Sequence, residues 1–314
     1  MDVSPIALES INAGVSTAYN TQFDGVKPVY TEFTYEASST GDEEVYPRVD
    51  LLPGMREWIG ERRVNWLTMS SFKIQNRTWE GTIGVKRENI EDDKYGFLTQ
   101  AAAQMGLGAA RLPDLLIAQL MAGGTAALCP DNANFFDLDH ENYSPNGGGQ
   151  LTTNANYQPA PAGYTGPSWY LMATADVTKP FIYQKRRAFV VKALFDPSSP
   201  DVFYKNEFMW GNDGRCNAGY GLWHYVFRSD AQLNVTNLIA AREALSKWNR
   251  PDGSPLGILQ SGGIKLVTGV QLGPIAKTYC TSQFLPAGDP LAVGGTVTNM
   301  FQGYATPVEN PWIP

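Results

Sequence analysis

The stretch PGMREWIGERRVNWLTMSSFKIQNRTWEGTIGVKRENIEDDKYGFLTQAAAQMG, residues 53–106, changes its hydrophobic period halfway along. Phe72 and Ile74, then Trp79, Ile83 and Val85, stand between polar residues, the alternation of half-buried strands. Asn76-Arg77 lies between the two halves, so the segment predicts a long β-hairpin. From Asn89 the spacing becomes three and four. Tyr95, Leu98, Ala102, Met105 and Ala109 mark one face of a helix that runs to Gly123-Gly124. Asn89 is placed to cap it, and Glu91, Asp92 and Asp93 fill a first turn where the helix dipole favours acids. Pro113 either kinks this helix or opens a second one.

Charge is concentrated in the same stretch. Residues 56–94 carry eight basic and seven acidic side chains, whereas residues 124–179 carry six charges in all. Because both signs are present, the segment suits pairing with protein neighbours better than gathering one polyanion. The plainer reading is a solvated hairpin on a monomer, whose surface ion pairs contribute little. A two-stranded hairpin is marginal alone, so it must lie on something.

Towards the N-terminus, residues 5–23 place Leu8, Ile11, Val15, Ala18, Tyr19 and Phe23 at helical spacing. This stripe must pack on the body of the chain or on another subunit. Residues 24–52, with the polar run SSTGDEE at 38–44, read as an extended arm and not a core. Towards the C-terminus, residues 128–168 are rich in Asn, Gly and Pro and read as a loop, longer than compact domains usually carry without a function or a partner. Strands are expected over 181–183, 188–195, 202–210 and 221–228. Asn234 opens a second helix with Leu238, Ala241, Leu245 and Trp248 on one face and a Glu243–Lys247 pair outside. A turn at 250–253, a strand at 264–270 and a short helix at 274–284 follow.

The composition agrees with strands and long loops. The chain has 314 residues, 31 of them Gly and 21 Pro, with 18% charged residues and a net charge of −7. That argues against a helical bundle and shows no basic footprint for nucleic acid. Three cysteines without CxxC spacing support neither a disulfide framework nor a zinc site. MDVSPIALES has neither the basic nor the apolar region of a signal peptide, and the apolar run 115–127 is shorter than a membrane span.

Candidate chemistry centres on PDNANFFDLDH, which gathers Asp131, Asn132, Asn134, Asp137, Asp139 and His140. Oxygen ligands so spaced could hold calcium, but the EF-hand positions for Gly and the closing acid are not filled. Asp and Asn also make turns by bonding their own backbone. Asp137 and Asp139 as an acid–base pair define the enzyme alternative, a soluble hydrolase. Gly147-Gly148-Gly149 lacks the Lys-Ser or Lys-Thr of a phosphate loop. Cys129 and Cys216 neighbour His140 and His224 in sequence only, and buried thiols are the commoner case. Lys185-Arg186-Arg187 reads as a solvated strand edge. The expectation is therefore no catalytic site, no cofactor and no metal. Several elements that cannot bury themselves point to a subunit completed by its neighbours.

An ordered run of motifs gives this a family context. Arg56-Glu57-Trp58 precedes Gly60-Glu61-Arg62, and residues 78–85 lead into Asn89-Ile90-Glu91-Asp92-Asp93. Asn134-Phe135-Phe136-Asp137 with Asp139-His140 comes next, then Lys179-Pro180 with Gln184 and Arg186. Glu207-Phe208, Gly211 and Arg215 lead to Gly221-Leu222-Trp223, followed by Ala241-Arg242 and Leu256-Gly257. Over roughly residues 45–260 the chain resembles the Mu-like bacteriophage major head subunit family.

The resemblance implies an α+β, HK97-like capsid fold. Residues 1–50 would be the N-terminal arm and 51–90 the E-loop hairpin lying across the next subunit. Residues 91–230 would be the P-domain, with a spine helix at 91–123, the long loop 128–168 and the aromatic strands; 231–314 would be the A-domain and C-terminal segment. It implies a non-enzymatic major capsid protein. Such a chain self-assembles as hexamers and pentamers into the icosahedral head of a tailed phage, around double-stranded DNA that it touches non-specifically. Implied partners are a separate scaffold and protease, a portal and decoration proteins, with no membrane. Assembly would occur in the host cytoplasm and the product would be the virion capsid. Expected inter-subunit contacts are Arg56, Glu57, Glu61, Arg62, Arg63, Lys73, Arg77, Trp79, Glu80, Lys86 and Arg87, with arm contacts at Ile11, Val15, Tyr19 and Phe23. Arg62→Glu or Arg63→Glu is expected to impair assembly of a soluble subunit, and deletion of residues 1–23 to leave a soluble chain that closes shells poorly. An encapsulin-like compartment shell is the alternative on the same fold.

Overall fold

The computed structural model describes residues 5–49, 52, 54–55, 57–61, 71–92, 96–146, 149–196, 199–285 and 297–313. The first half of the chain gives α1 (Pro5–Gly25), β1 (Thr34–Ser38), β2 (Glu43–Pro47), β3 (Ser71–Gln75), β4 (Arg77–Lys86), α2 (Arg87–Glu91), α3 (Gly96–Gly123), β5 (His140–Tyr143), β6 (Leu151–Asn154) and β7 (Tyr157–Gln158). The second half gives β8 (Trp169–Ala173), β9 (Phe181–Leu194), α4 (Pro200–Lys205), β10 (Glu207–Tyr220), β11 (Val226–Ser229), α5 (Val235–Ser246), β12 (Ile264–Thr268), α6 (Gly273–Thr281), β13 (Phe284–Leu285), β14 (Val297–Thr298) and β15 (Thr306–Glu309).

One sheet has the order β1-β9-β10-β4, with β1 parallel to β9 and the other pairs antiparallel. Along β10 alternate residues turn inward: Phe208, Trp210, Asn212, Cys216 and Ala218 are buried. The helices α1 and α3 cover this face. The α1 stripe of Leu8, Ile11 and Val15 is buried with Leu98, Ala102, Phe208 and Trp210, and Tyr19 beside it is buried too. Full burial of one such side chain is worth about 1.5–3 kcal/mol. Two polar contacts fix the register: Trp210 Nε1 donates to Asn12 Oδ1 at 3.1 Å, and Asn212 Nδ2 donates to the Tyr19 hydroxyl at 2.9 Å. The two helices touch at Gly106, where a Cβ would lie 3.2 Å from the Cα and carbonyl carbon of Tyr19 and closer still to its oxygen.

A second sheet has the order β15-β12-β8-β11-β7. Its outer face packs Trp169, Leu171, Phe227 and Leu266 against Leu238 and Leu245 of α5 and Ala276 and Tyr279 of α6. Its inner face packs Tyr170, Met172, Val226 and Val267 into a core shared with Ile117 and Met121 of α3 and Phe181 of β9. Arg228 rivets this seam. Its guanidinium donates to the carbonyls of Met121 and Ala122, each at 3.2 Å, at the C-terminal end of α3 where the dipole favours a cation. The same group pairs with Asp230 at 2.8 Å, and Tyr157 and Ser168 donate their hydroxyls to that carboxylate.

Several elements differ from the sequence expectation. The predicted hairpin of β3 with β4 does not form: β3 pairs with β2, Glu43 opposite Gln75, and β4 pairs with β10, Arg77 opposite Cys216. Asn76 is buried and anchors the crossover between partners. Its backbone N–H donates to Asp42 O at 2.9 Å, and Nδ2 donates to Ser39 Oγ at 2.7 Å. The hairpin is thus β2–β3, and its long connection spans 48–70. Residues 24–52 are not free of the core, because Tyr30 and Phe33 are buried in it. Asn89 does not cap the long helix; it lies inside α2, whose N-cap is Lys86, while α3 starts at Gly96.

Pro113 sits within α3 without ending it. Pro200 opens α4, which takes up the start of the expected 202–210 strand, and Asn206 ends it in the left-handed region at φ 51. The 128–168 loop contains β5, β6 and β7. β8 was invisible to periodicity because all five of its residues are buried. The second sheet draws strands from both sides of residue 230, so the 91–230 and 231–314 division does not follow the sheets.

Other expectations hold. Asn234 caps α5 by accepting from the Asn237 N–H at 2.9 Å, Glu243 and Lys247 lie 3.9 Å apart, and Gly253 N–H closes the 250–253 turn on Arg250 O at 2.8 Å.

Candidate subunit-contact surface

The outward face of the first sheet is charged. Register places Lys86 opposite Glu207, Thr78 opposite Arg215 and Glu80 opposite Asp213. Asp213 draws two cations, Arg187 and Lys192, the latter at 3.1 Å, and Arg215 reaches Asp42 at 3.0 Å. These pairs are solvent-exposed, so each adds at most ~1 kcal/mol to the fold. Their use lies in presenting a patterned surface that selects a partner and its register.

The expected contact residues divide into three groups. Arg56, Arg62 and Arg63 lie outside the described residues. Glu57, Glu61, Lys73, Arg77, Glu80, Lys86 and Arg87 are exposed. Within this group Lys73 pairs with Glu43 at 3.2 Å, Arg87 with Glu91 at 2.9 Å, and Glu80 accepts from Thr82 at 2.9 Å. The remaining residues have structural roles in their own chain. Trp79 is half-buried and donates to Cys216 O at 3.1 Å. Ile11, Val15 and Tyr19 are buried, and Phe23 stacks on Tyr19 at 5.8 Å. The α1 stripe is therefore satisfied by the body of this chain. Lys192 and Asp213 are not among the sequence expectations, and Arg187 and Arg215 enter them only as a strand edge and a motif position, although the alternation in residues 207–217 marks the outward positions of β10.

Two grooves flank the root of the β2–β3 hairpin. One, of about 550 Å³, has Lys73 and Arg77 among its lining with Phe72, Leu120, Leu128 and Tyr220. The other, of about 270 Å³, is mostly apolar and includes Tyr46, Val49, Val177 and Leu222. The root itself is held by Arg48, 4% exposed, whose guanidinium lies 4.7 Å from the Trp223 ring centroid and 3.8 Å from Glu141. Trp223 in turn stacks on His140 at 4.8 Å and 10°.

The 131–140 cluster is a folded turn. Asp131 Oδ2 lies 2.7 Å from His140 Nδ1, and its Oδ1 accepts from the Ala133 N–H. Asp137 accepts from the N–H groups of Asn134 at 2.9 Å and Leu138 at 2.7 Å. Burial works against the Asp137 carboxylate, but these backbone bonds hold its pKa below the usual range, the opposite of what a general acid needs. Burial pushes the Cys129 and Cys216 thiols up, which suits inert core thiols. Among the described residues no three His, Cys, Asp or Glu side chains converge to hold a metal ion, and no helix is long and apolar enough to cross a membrane.

Comparison with known proteins places this architecture. Residues 8–313 match the family described as Mu-like prophage major head subunit gpT. The major capsid protein of Escherichia phage Mu is 28% identical over 303 residues, 96% of this chain and 97% of that protein. The Mu-like prophage FluMu major head subunit of Haemophilus influenzae is 29% identical over 245 residues, 78% of this chain and 80% of that protein. Among solved structures, a chain of the procapsid of bacteriophage JBD30 superposes with a TM-score of 0.79 at 30% identity, covering 99% of this chain and 100% of the other. The JBD30 capsid gives a TM-score of 0.73 at 24% identity, with 92% of each chain covered.

Proposed function

The chain belongs to the Mu-like major head subunit family, and from that premise we propose that it closes, as hexamers and pentamers, into an icosahedral phage head around double-stranded DNA. As a major capsid protein it forms the shell of the virion by association of many copies. The observation that supports the finer reading is the match to a chain of the JBD30 procapsid along 99% of this chain and 100% of that one. The 131–140 carboxylates favour no hydrolase, since Asp137 is committed to backbone N–H groups.

In this reading the β2–β3 hairpin reaches over the next subunit, and the charged face of β4, β9 and β10 sets register. Each contact is modest and reversible, and closure of the shell multiplies them through effective concentration. The net charge of −7 suits a container that must release its DNA, because a basic wall would hold phosphates. A separate scaffold and protease, a portal and assembly in the host cytoplasm complete the scheme. The JBD30 capsid has a form decorated with minor capsid protein trimers, and an equivalent decoration is proposed here.

The test is expression of the full chain, with and without a co-expressed scaffold, followed by sedimentation and negative-stain microscopy. Rings, sheets or shells are expected. A stable 34.4 kDa monomer under both conditions would overturn the reading.

A further inference from the structure

On the outer side of the second sheet, α5 and the turn after β14 enclose a groove of about 500 Å³ whose lining includes Ile239, Arg242, Glu243, Leu259, Met300 and Tyr304. Its centre is a cation fixed in advance. The Arg242 guanidinium lies 3.8 Å from the Tyr304 ring centroid and donates to its hydroxyl. Tyr304 is braced edge-on by the buried Phe301 at 5.7 Å. The turn carrying both is locked by Asn299, 4% exposed, which donates to Tyr279 O and Ser282 O at 2.8 Å and accepts from the Phe301 N–H at 2.9 Å. Around this cation stand exposed hydrocarbon groups, Met300 at 70% and Ile239 at 40%. Among the described residues no carboxylate pairs with Arg242.

A rigid Arg–Tyr stack ringed by Met and Ile has the composition of a protein–protein hot spot, and its fixed geometry lowers the ordering cost of binding. We propose that this groove is a subunit–subunit contact that receives a carboxylate-bearing apolar segment from a second copy of the chain. The inference rests on the shell reading above.

Charge complementarity selects the occupant. A phosphate backbone would meet hydrocarbon on the walls around the guanidinium, whereas a protein carboxylate next to an apolar side chain satisfies both features. The chain's own surface has an acidic surplus and offers segments of that kind: Leu138 is 50% exposed, and its neighbour Asp139 makes no ion pair among the described residues. Such a contact joins two different patches, the heterologous geometry that builds rings.

The test is hydroxyl-radical footprinting of the full chain, free and in assembled particles, with the buried Met121 as internal reference. Oxidation of Met300 and Tyr304 should fall about tenfold on assembly, and Arg242→Glu should keep the free subunit's denaturation midpoint while particle yield falls about tenfold. Particles in which Met300 oxidises at the free-subunit rate, or wild-type yield from Arg242→Glu, would overturn the contact and leave the shell reading standing. A wild-type chain that forms no particles would overturn both.

Discussion

Gly106 offers a test of the α1–α3 packing with an internal control two residues away. Gly→Ala inside a helix normally stabilises by about 1 kcal/mol, because alanine restricts the unfolded chain and glycine does not. At Gly108 nothing lies within 4 Å of an added Cβ, so Gly108→Ala should realise about 0.5–1 kcal/mol of that gain. At Gly106 the added atom meets the Tyr19 backbone, with two carbons at 3.2 Å and the carbonyl oxygen nearer, and backbone cannot swing aside. Helix α1 must lift, loosening Leu8, Ile11, Val15 and Tyr19 together. Overpacking of this kind costs about 1–3 kcal/mol, more than the propensity gain over most of that range. Gly106→Ala should therefore be destabilised by about 1 kcal/mol net, roughly 2 kcal/mol below Gly108→Ala. At about 2–4 °C per kcal/mol, the two variants should melt about 4–8 °C apart. Thermal and urea denaturation of the unassembled chain would measure this. Equal midpoints, or a Gly106→Ala variant more stable than wild type, would refute the close helix contact.

Further predictions follow from the buried polar groups and from α1. Arg228→Met should destabilise by about 2–3 kcal/mol, since it frees two helix-terminal carbonyls and leaves Asp230 without its cation; Arg228→Lys should recover only part, as read from urea midpoints. Burial opposes the Asp230 carboxylate, but bonds from Arg228, Ser168 and Tyr157 hold its pKa low. Its contribution is present above the unfolded value near ~3.9 and is lost as pH falls through the lower folded value. Asp230→Asn should therefore flatten the acid limb of a stability–pH profile. Asp114 behaves oppositely: burial raises its pKa despite the N–H donors of Val29 and Tyr30, so stability is lost as pH rises from the unfolded value through the folded one. Asp114→Asn, which keeps the acceptor oxygen, should match wild type near pH 3 and exceed it at pH 7 in the same assay. Deleting residues 1–23 should give insoluble protein, because it uncovers Phe208 and Trp210; a soluble truncated chain that assembles poorly would restore the arm-contact reading of α1.

What was legible in the sequence was whatever a short window decides. The α5 cap at Asn234, the 250–253 turn and the stripe of α1 are local and were read correctly as elements. Period-two spacing told which side of β3 and β4 is buried but not which strand each meets, and both partners lie far away in sequence. β8 escaped because a strand buried on both faces has no alternation, and α4 because Val202 and Phe203 look extended until Pro200 is given weight. For the proposed contact surface, charge density marks residues 56–94, where Lys73, Arg77, Glu80, Lys86 and Arg87 are exposed. Trp79 and the α1 stripe are satisfied within the chain, while Lys192 and Asp213 stand beside hydrophobic runs that give no local sign of their pairing across β9 and β10. The family resemblance came from motif order, which carries topology that periodicity cannot.

The pairing of β15 with β12, Thr306 opposite Lys265, has a consequence for when the molecule comes into being. The edge of the second sheet, together with Ile313 in the central core, is supplied by residues that follow every other strand of that sheet in synthesis. At about 5–20 residues per second, a ribosome needs on the order of 15–60 s to reach them. During that interval β1 waits for β9, β4 waits for β10, and β12 lacks its final neighbour. Nascent chains crowded on one message therefore lack finished mutual binding surfaces. The subunit becomes competent to associate only after residues 306–309 have joined the sheet, so the order of synthesis acts as a timer that holds polymerisation off until both sheets are complete.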